Sequence, residues 1–337
     1  MLLVFVLLPG AYSAVYTLHE LCRMENYRVQ SPVLLLLFNR PDLTQQVFQQ
    51  IQRVQPARLY IAADGPRPTH AADAALCAQA RAVATQVNWD CTVKTLFREA
   101  NKGCKKAVSE ALTWFFEQEP EGIILEDDCL PVQSFFYFCD TLLQHYRLDT
   151  RITCITGTNL QNGRQWGDAS YYFSRYSNIW GWASWRRVWQ QYDAELTQYQ
   201  PAEVARQMKK VFSDPFLAAD WVKLFNDLKA GLIDTWDYQL NFINFFENRL
   251  CVTPNVNLIS NTGFRDDATH THNPDNHNAH LPAGEITHIT HPRYFLPETE
   301  ADYYFLQKEF DLAARWRRYN KPKRKFKRWV RALFQST

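Results

Sequence analysis

The sequence predicts an α/β fold built on a mostly parallel sheet with helices on both faces. Three observations carry that expectation. Short apolar runs alternate with amphipathic segments, the connections are long enough for crossovers, and polar clusters stand directly after several of the runs. "VLLLLF" (33–38) is continuous enough to be a strand buried on both faces. Asp42 is placed to cap a helix whose Leu43, Val47, Ile51 and Val54 share one side. "RLYIAA" (58–63) is a second strand, stopped by the turn residues "DGPRP", and "CTVKTLF" (91–97) is a third. Asn101 then caps a helix with Ala107, Val108, Ala111, Leu112, Phe115 and Phe116 at helical spacing. "GIIL" (122–125) is a fourth strand, and a helix over about 134–147 leads to "ITCITG" (152–157).

In such a sheet, sites lie beyond the carboxyl ends of the strands. Asn39-Arg40, Asp64-Gly65 and Glu126-Asp127-Asp128 each come directly after a strand, so they are expected to converge on one edge. The second half is richer in tryptophan and loops: "SNIWGWASWRRVW" (177–189), a helical stretch near 202–230, "DTWDYQLNFINFFENR" (234–249) and a polar His/Asn-rich loop over 265–280.

With 46% apolar and 15% aromatic residues, the composition is that of a globular chain and excludes disorder along its whole length. The net charge of +2 hides an uneven distribution, because Arg315 to Arg331 holds ten Lys/Arg and no acid. The remainder has 27 basic against 35 acidic residues, so body and tail are expected to have different partners. The eight cysteines are scattered without a CxxC pair, which favours free thiols in a reducing compartment over disulfides or structural zinc. Residues 1–30 are expected to be an N-terminal extension. Its apolar run Leu2 to Leu8 lacks a basic leader and is broken by Pro9-Gly10, which makes a weak signal or anchor, and Met24 would open an ordinary start for a soluble enzyme.

Three adjacent carboxylates after a buried strand repel one another and resist desolvation unless a cation joins them. Mg²⁺ or Mn²⁺ answers that need, because hard ions take oxygen ligands and leave positions open for substrate phosphates. A solvated acidic turn is the bland alternative; position at the strand end, in line with two other polar clusters, favours a site.

The ordered segments "LLLLFNRPDLTQQVFQQI", "YIAADGPR" and "IILEDDCLPVQSFFYFCDTLL" resemble the GT-A glycosyltransferases, in particular the inverting N-acetylglucosaminyltransferase I type. The likeness runs in order over about residues 31–160. Short bacterial glycosyltransferases of surface polysaccharide pathways look similar along more of the length. It implies a GT-A, Rossmann-like sheet, with 31–160 as the nucleotide-sugar half and 161–290 as the acceptor and catalytic half of one domain. Residues 291–337 would form a C-terminal extension. It further implies Asp128 as the metal ligand, Glu126 and Asp127 facing ribose or donor sugar, Asp64 reading the uracil or ribose, and Arg40 bordering the nucleotide.

Inverting transfer needs a base for the acceptor hydroxyl. Asp237, beside Trp236, is the first choice and Asp234 the second, although both also suit the start of the next helix. "NIWGWASW" resembles the family's glycine-and-tryptophan loop, so Trp180 and Trp182 would stack on sugar C–H faces while Gly181 lets backbone approach; filling a core is the ordinary alternative for tryptophan. His270, from the late loop, is the candidate for a further metal ligand, against solvated histidines in a loop rich in Asn and Pro.

The expected activity is therefore metal-dependent transfer of a sugar, with UDP-sugar favoured as donor, to a saccharide or lipid-linked saccharide. Two alternatives remain. A nucleotidyltransferase shares the sheet and the acids but usually carries a Gly-rich loop after the first strand, where this chain has "FNRPDLT". A non-catalytic nucleic-acid or membrane binder would use the tail. Basic residues interleaved with Trp316, Phe326, Trp329, Val330 and Phe334 suit anionic lipid first. Nucleic acid is not an expected partner, since the acidic body offers little surface for phosphates. The expected location is cytoplasmic, peripheral on the membrane through residues 313–337.

Overall fold

The structure, a computed structural model, describes residues 3–5, 15–17, 27–265, 276–279 and 281–334. Most of the proposed N-terminal extension and His270 lie outside the described residues. The chain divides into two compact units, one of Met1–Ala194 with Asp234–Pro297 and the other of Glu195–Ile233 with Glu298–Thr337.

In the first unit, Leu3–Phe5 (β1) and Val15–Thr17 (β2) form an antiparallel pair. The main sheet contains Val33–Leu37 (β3), Arg58–Ala63 (β4), Thr92–Phe97 (β5), Glu121–Glu126 (β6), Ile152–Thr156 (β8), Tyr171–Ser174 (β9), Trp182–Trp185 (β10) and Leu250–Pro254 (β11). Its order is β5-β4-β3-β6-β10-β8-β11-β9. Strands β5, β4, β3 and β6 are mutually parallel, while β10 runs antiparallel to both β6 and β8. Cys129–Pro131 (β7) pairs antiparallel with Ile259–Asn261 (β12) in a separate two-stranded ladder. The mostly parallel α/β sheet expected from the apolar runs is present.

The helices are Pro41–Val54 (α1), Asp73–Ala84 (α2), Cys104–Gln118 (α3), Gln133–His145 (α4), Arg186–Trp189 (α5), Pro201–Val211 (α6), Pro215–Lys229 (α7), Tyr238–Glu247 (α8), Thr299–Glu309 (α9), Leu312–Tyr319 (α10) and Pro322–Phe334 (α11). Strand alternation divides the core in two. Val33, Leu35, Leu37, Ile123 and Leu125 pack with α1 and α4, whereas Leu34, Leu36, Tyr60 and Ile124 pack with α3 and α8. A continuous apolar sequence was therefore needed in β3 because both of its faces are covered.

Several local expectations are corrected. Asp42 is in the first turn of α1 while Arg40 occupies the cap position, because Pro41 starts the helix with its φ preset. Gly103, not Asn101, caps α3. The stretch near 202–230 is two helices, divided where Asp214 accepts the Phe216 amide at 2.8 Å and Pro215 opens α7. The second unit is tied internally by Arg315 to Asp220 at 2.6 Å and by edge contact of Tyr319 with Phe216.

Candidate functional site

Parallel pairing of β3 with β4 and β6 brings the carboxyl ends of the three strands to one edge. Arg40 comes just after β3, Asp64 just after β4, and Glu126 ends β6, so the three polar clusters converge as their positions in sequence imply. Because β10 is antiparallel to β6, Trp180 and Gly181 precede it at that same edge, and the Gly157 amide after β8 donates to the Gly181 carbonyl at 2.7 Å.

The acids are not arranged around empty space. The Arg40 guanidinium donates to Asp127 through one nitrogen and to Asp128 Oδ2, at 2.9 Å, through the other. The Phe38 amide adds a bond to Asp127 at 3.2 Å. The cation that adjacent carboxylates demand is thus supplied in part by a residue expected only to border a nucleotide. Side-chain exposures of 3% for Asp127 and 12% for Asp128 make the second the more accessible acid.

One guanidinium does not balance the edge. Burial, and then Asp128 and Asp127, push the Glu126 carboxyl up to about 8; Arg40 opposes them and Asp237 adds to the rise. Burial also raises Asp127, against the pull of Arg40. Burial would lower the pKa of Arg40, but the two aspartates more than offset it and hold the guanidinium charged. The Cys104 thiol senses the same field: burial and then Glu126, Asp234, Asp237 and Asp64 push it up to about 12. Glu126 Oε1 is shielded from solvent and, among the described residues, has no hydrogen-bond partner. A buried carboxylate oxygen left in that state needs a proton or a ligand.

Asp237 and Asp234 therefore belong to the neighbourhood of Glu126. Asp237 occupies the cap position of α8, but its side chain accepts no capping bond and is held instead by the Thr235 hydroxyl. Asp234 reaches the start of α3, its Oδ2 being 3.5 Å from where a Cβ on Gly103 would lie. Asp64, expected to read the uracil or ribose, also ties the loop. Its carboxylate accepts amides from Gly65 at 2.8 Å, Lys102 at 3.0 Å and Gly103 at 3.2 Å, which fastens the loop before α3 to the end of β4.

Trp182 is 1% exposed within β10 and stacks on Trp236, so its ring serves the core. Trp180 is only partly buried and meets Phe264 edge to face, which leaves it as the aromatic residue of this loop nearest the edge. Gly181 is held at φ +63°, and a Cβ there would lie 2.4 Å from Ile259. Glycine alone satisfies both the left-handed backbone and the close approach.

Two neighbours were not legible in the sequence. Thr262 holds the Asp128 carbonyl with its amide at 2.9 Å and its hydroxyl at 3.1 Å. Gly263 lies so close that a Cβ would stand 2.2 Å from Asp128 Oδ2. Both arrive through the β7–β12 ladder across more than 130 residues, and only the glycine in "SNTGF" hints at a tight approach. Among the described residues, no group of three or more His, Cys, Asp and Glu is disposed to hold a metal ion. Of the late loop, His277 is described and exposed. Comparison with protein-family models and with curated proteins returns no match.

Proposed function

We propose that the chain is a metal-dependent GT-A glycosyltransferase that moves a sugar from a nucleotide diphosphate donor, UDP-sugar favoured, to a saccharide hydroxyl with inversion. The observation that carries this reading is the unpartnered Oε1 of Glu126 in a set of acids served by one arginine. An oxygen donor set with a negative surplus fits Mn²⁺ or Mg²⁺, with Asp128, the more exposed of the two aspartates, as the direct ligand. When bound, the ion supplies positive charge where a nucleoside diphosphate departs. Support also comes from the antiparallel β10, which carries the Trp180-Gly181 loop to the edge where a donor sugar would rest.

Asp237 is the base in this scheme. The Thr235 hydroxyl donates to its Oδ1 and so orients the carboxylate that would take the proton of the acceptor hydroxyl. Trp180 offers an apolar face to a sugar ring, and Arg40 holds Asp127 and Asp128 in position. The late-loop His270 remains the candidate for a further metal ligand.

The test is a thermal-shift titration with UDP and Mn²⁺ together with a screen of nucleotide sugars for Mn²⁺-dependent hydrolysis. The expected result is a shift that needs both ligands, absent in Asp128→Ala, and turnover lowered about a hundredfold or more in Asp128→Asn. Full metal-dependent turnover in Asp128→Asn, or no response to any nucleotide, overturns the reading.

A further inference from the structure

The second unit carries sixteen basic against ten acidic residues, and the excess is concentrated in α10 and α11. No helix among the described residues is long and apolar enough to cross a membrane. Helix α10 is docked within its unit: Arg315 reaches Asp220 and also lies over Phe310, Tyr319 meets Phe216, and Leu312 is buried.

Arg328 ties helix α11 to the end of α10. It stacks on the Tyr319 ring, 3.6 Å from its centroid, and donates to the Tyr319 carbonyl at 2.7 Å. With a helical turn of 3.6 residues, Phe326 lies on the side opposite Arg328, and Val330 comes one turn later on the same stripe. With Arg328 held there, Phe326 faces outward, and Val330 is half-buried. Phe326 is 65% exposed and Trp316, on α10, is 53% exposed. Arg317, Arg318, Lys323, Arg324, Lys325 and Lys327 are exposed around them, and among the described residues none has an acidic partner.

We infer that this surface docks on an anionic lipid bilayer, with Phe326 and Trp316 entering the headgroup boundary and the flanking cations meeting lipid phosphates. The chemistry of the surface selects that occupant: positive charge without acidic partners attracts an anionic surface, and exposed aromatic rings among the cations suit an interface with a polar and an apolar layer. A nucleic-acid duplex would be met by the cations but would leave those rings in water, and a single strand, whose bases stack on aromatic rings, is the rival that the RNA arm of the experiment below excludes. The inference is independent of the chemistry at the sheet edge.

The experiment is co-sedimentation of the full chain with vesicles of phosphatidylcholine alone and of phosphatidylcholine containing about one-third phosphatidylglycerol. Binding is expected only to the anionic vesicles and only at low salt, being lost at about 0.5 M. The double variant Lys323→Glu/Lys327→Glu should lower the partition coefficient about tenfold or more. Phe326→Ser should lower it several-fold while leaving its salt dependence unchanged. All three positions are exposed, so circular dichroism of the variants should match the parent. Equal binding to neutral vesicles, no binding to anionic ones, undiminished binding by both variants, or tighter binding of a single-stranded RNA than of anionic vesicles overturns it.

Discussion

At the carboxyl edge of the sheet, Asp127 and Asp128 share the guanidinium of Arg40 while the neighbouring Glu126 is left outside that pairing, whereas Arg315 to Arg331 holds ten basic residues with no acid among them. Both regions are out of electrostatic balance, with opposite sign. Their consequences differ because exposure differs. A charge removed from water without a partner costs several kcal/mol, so the edge must resolve its surplus through Arg40, through protonation of Glu126, or through a bound cation. Solvent and salt screen the tail, which leaves its sequence free to suit a partner. Buried imbalance is a statement about a ligand, and exposed imbalance is a statement about a surface.

The largest effect is expected from removing the arginine. Arg40→Met leaves two buried aspartates without their cation and should destabilise the metal-free protein by about 3–5 kcal/mol in urea unfolding, with Mn²⁺ restoring part of the loss. The same variant should bind Mn²⁺ more tightly in the absence of nucleotide, since the guanidinium no longer occupies Asp127 and Asp128. Unchanged stability would remove the contrast between the two regions.

A smaller effect is expected from pH. The Glu126 carboxyl is raised from 4.5 to about 8, so between those values the folded chain holds a proton that the unfolded chain has released. Its contribution is fully present below the unfolded value and is lost as pH rises toward 8, at a limiting slope of about 1.4 kcal/mol per pH unit. Melting of the metal-free protein should therefore fall across this window, and Glu126→Gln should flatten the decline. A decline of the same steepness in Glu126→Gln would show that the strain lies elsewhere.

Next comes Gly263→Ala. A Cβ 2.2 Å from Asp128 Oδ2 must displace something, and the carboxylate can rotate more cheaply than the backbone that Asn261 and Thr262 hold. Mn²⁺ affinity is expected to fall about tenfold while stability falls by only about 1–2 kcal/mol. Calorimetric titration beside urea unfolding reads both.

The strand-end clusters were legible because β3, β4 and β6 announce themselves as apolar runs, and parallel pairing then fixes where Arg40, Asp64 and Glu126 to Asp128 meet. The chemistry of each residue was less legible. Asp64 accepts three loop amides, a structural tie that sequence cannot separate from a ligand role. Trp182 sits in a four-residue strand with no alternation to reveal it, since "WASW" is buried throughout. The pairing of 195–233 with 298–337, and the approach of Gly263 to Asp128, rest on contacts between distant segments for which no local pattern exists.

The smallest expected effect sharpens the contrast most directly. Lys323→Glu places an acid among exposed cations and should change stability by no more than about 0.5 kcal/mol, because neither the lost charge nor the new one is desolvated. Any gain from relieving repulsion between neighbouring lysines and arginines should vanish at high salt. Set beside Arg40→Met, which removes one positive charge, this change of two charges would then cost several kcal/mol less because its site is exposed. If Lys323→Glu destabilises the fold as Arg40→Met does, the basic helix is part of the architecture of its unit, and its cations are fixed by internal contacts instead of being left for a lipid surface.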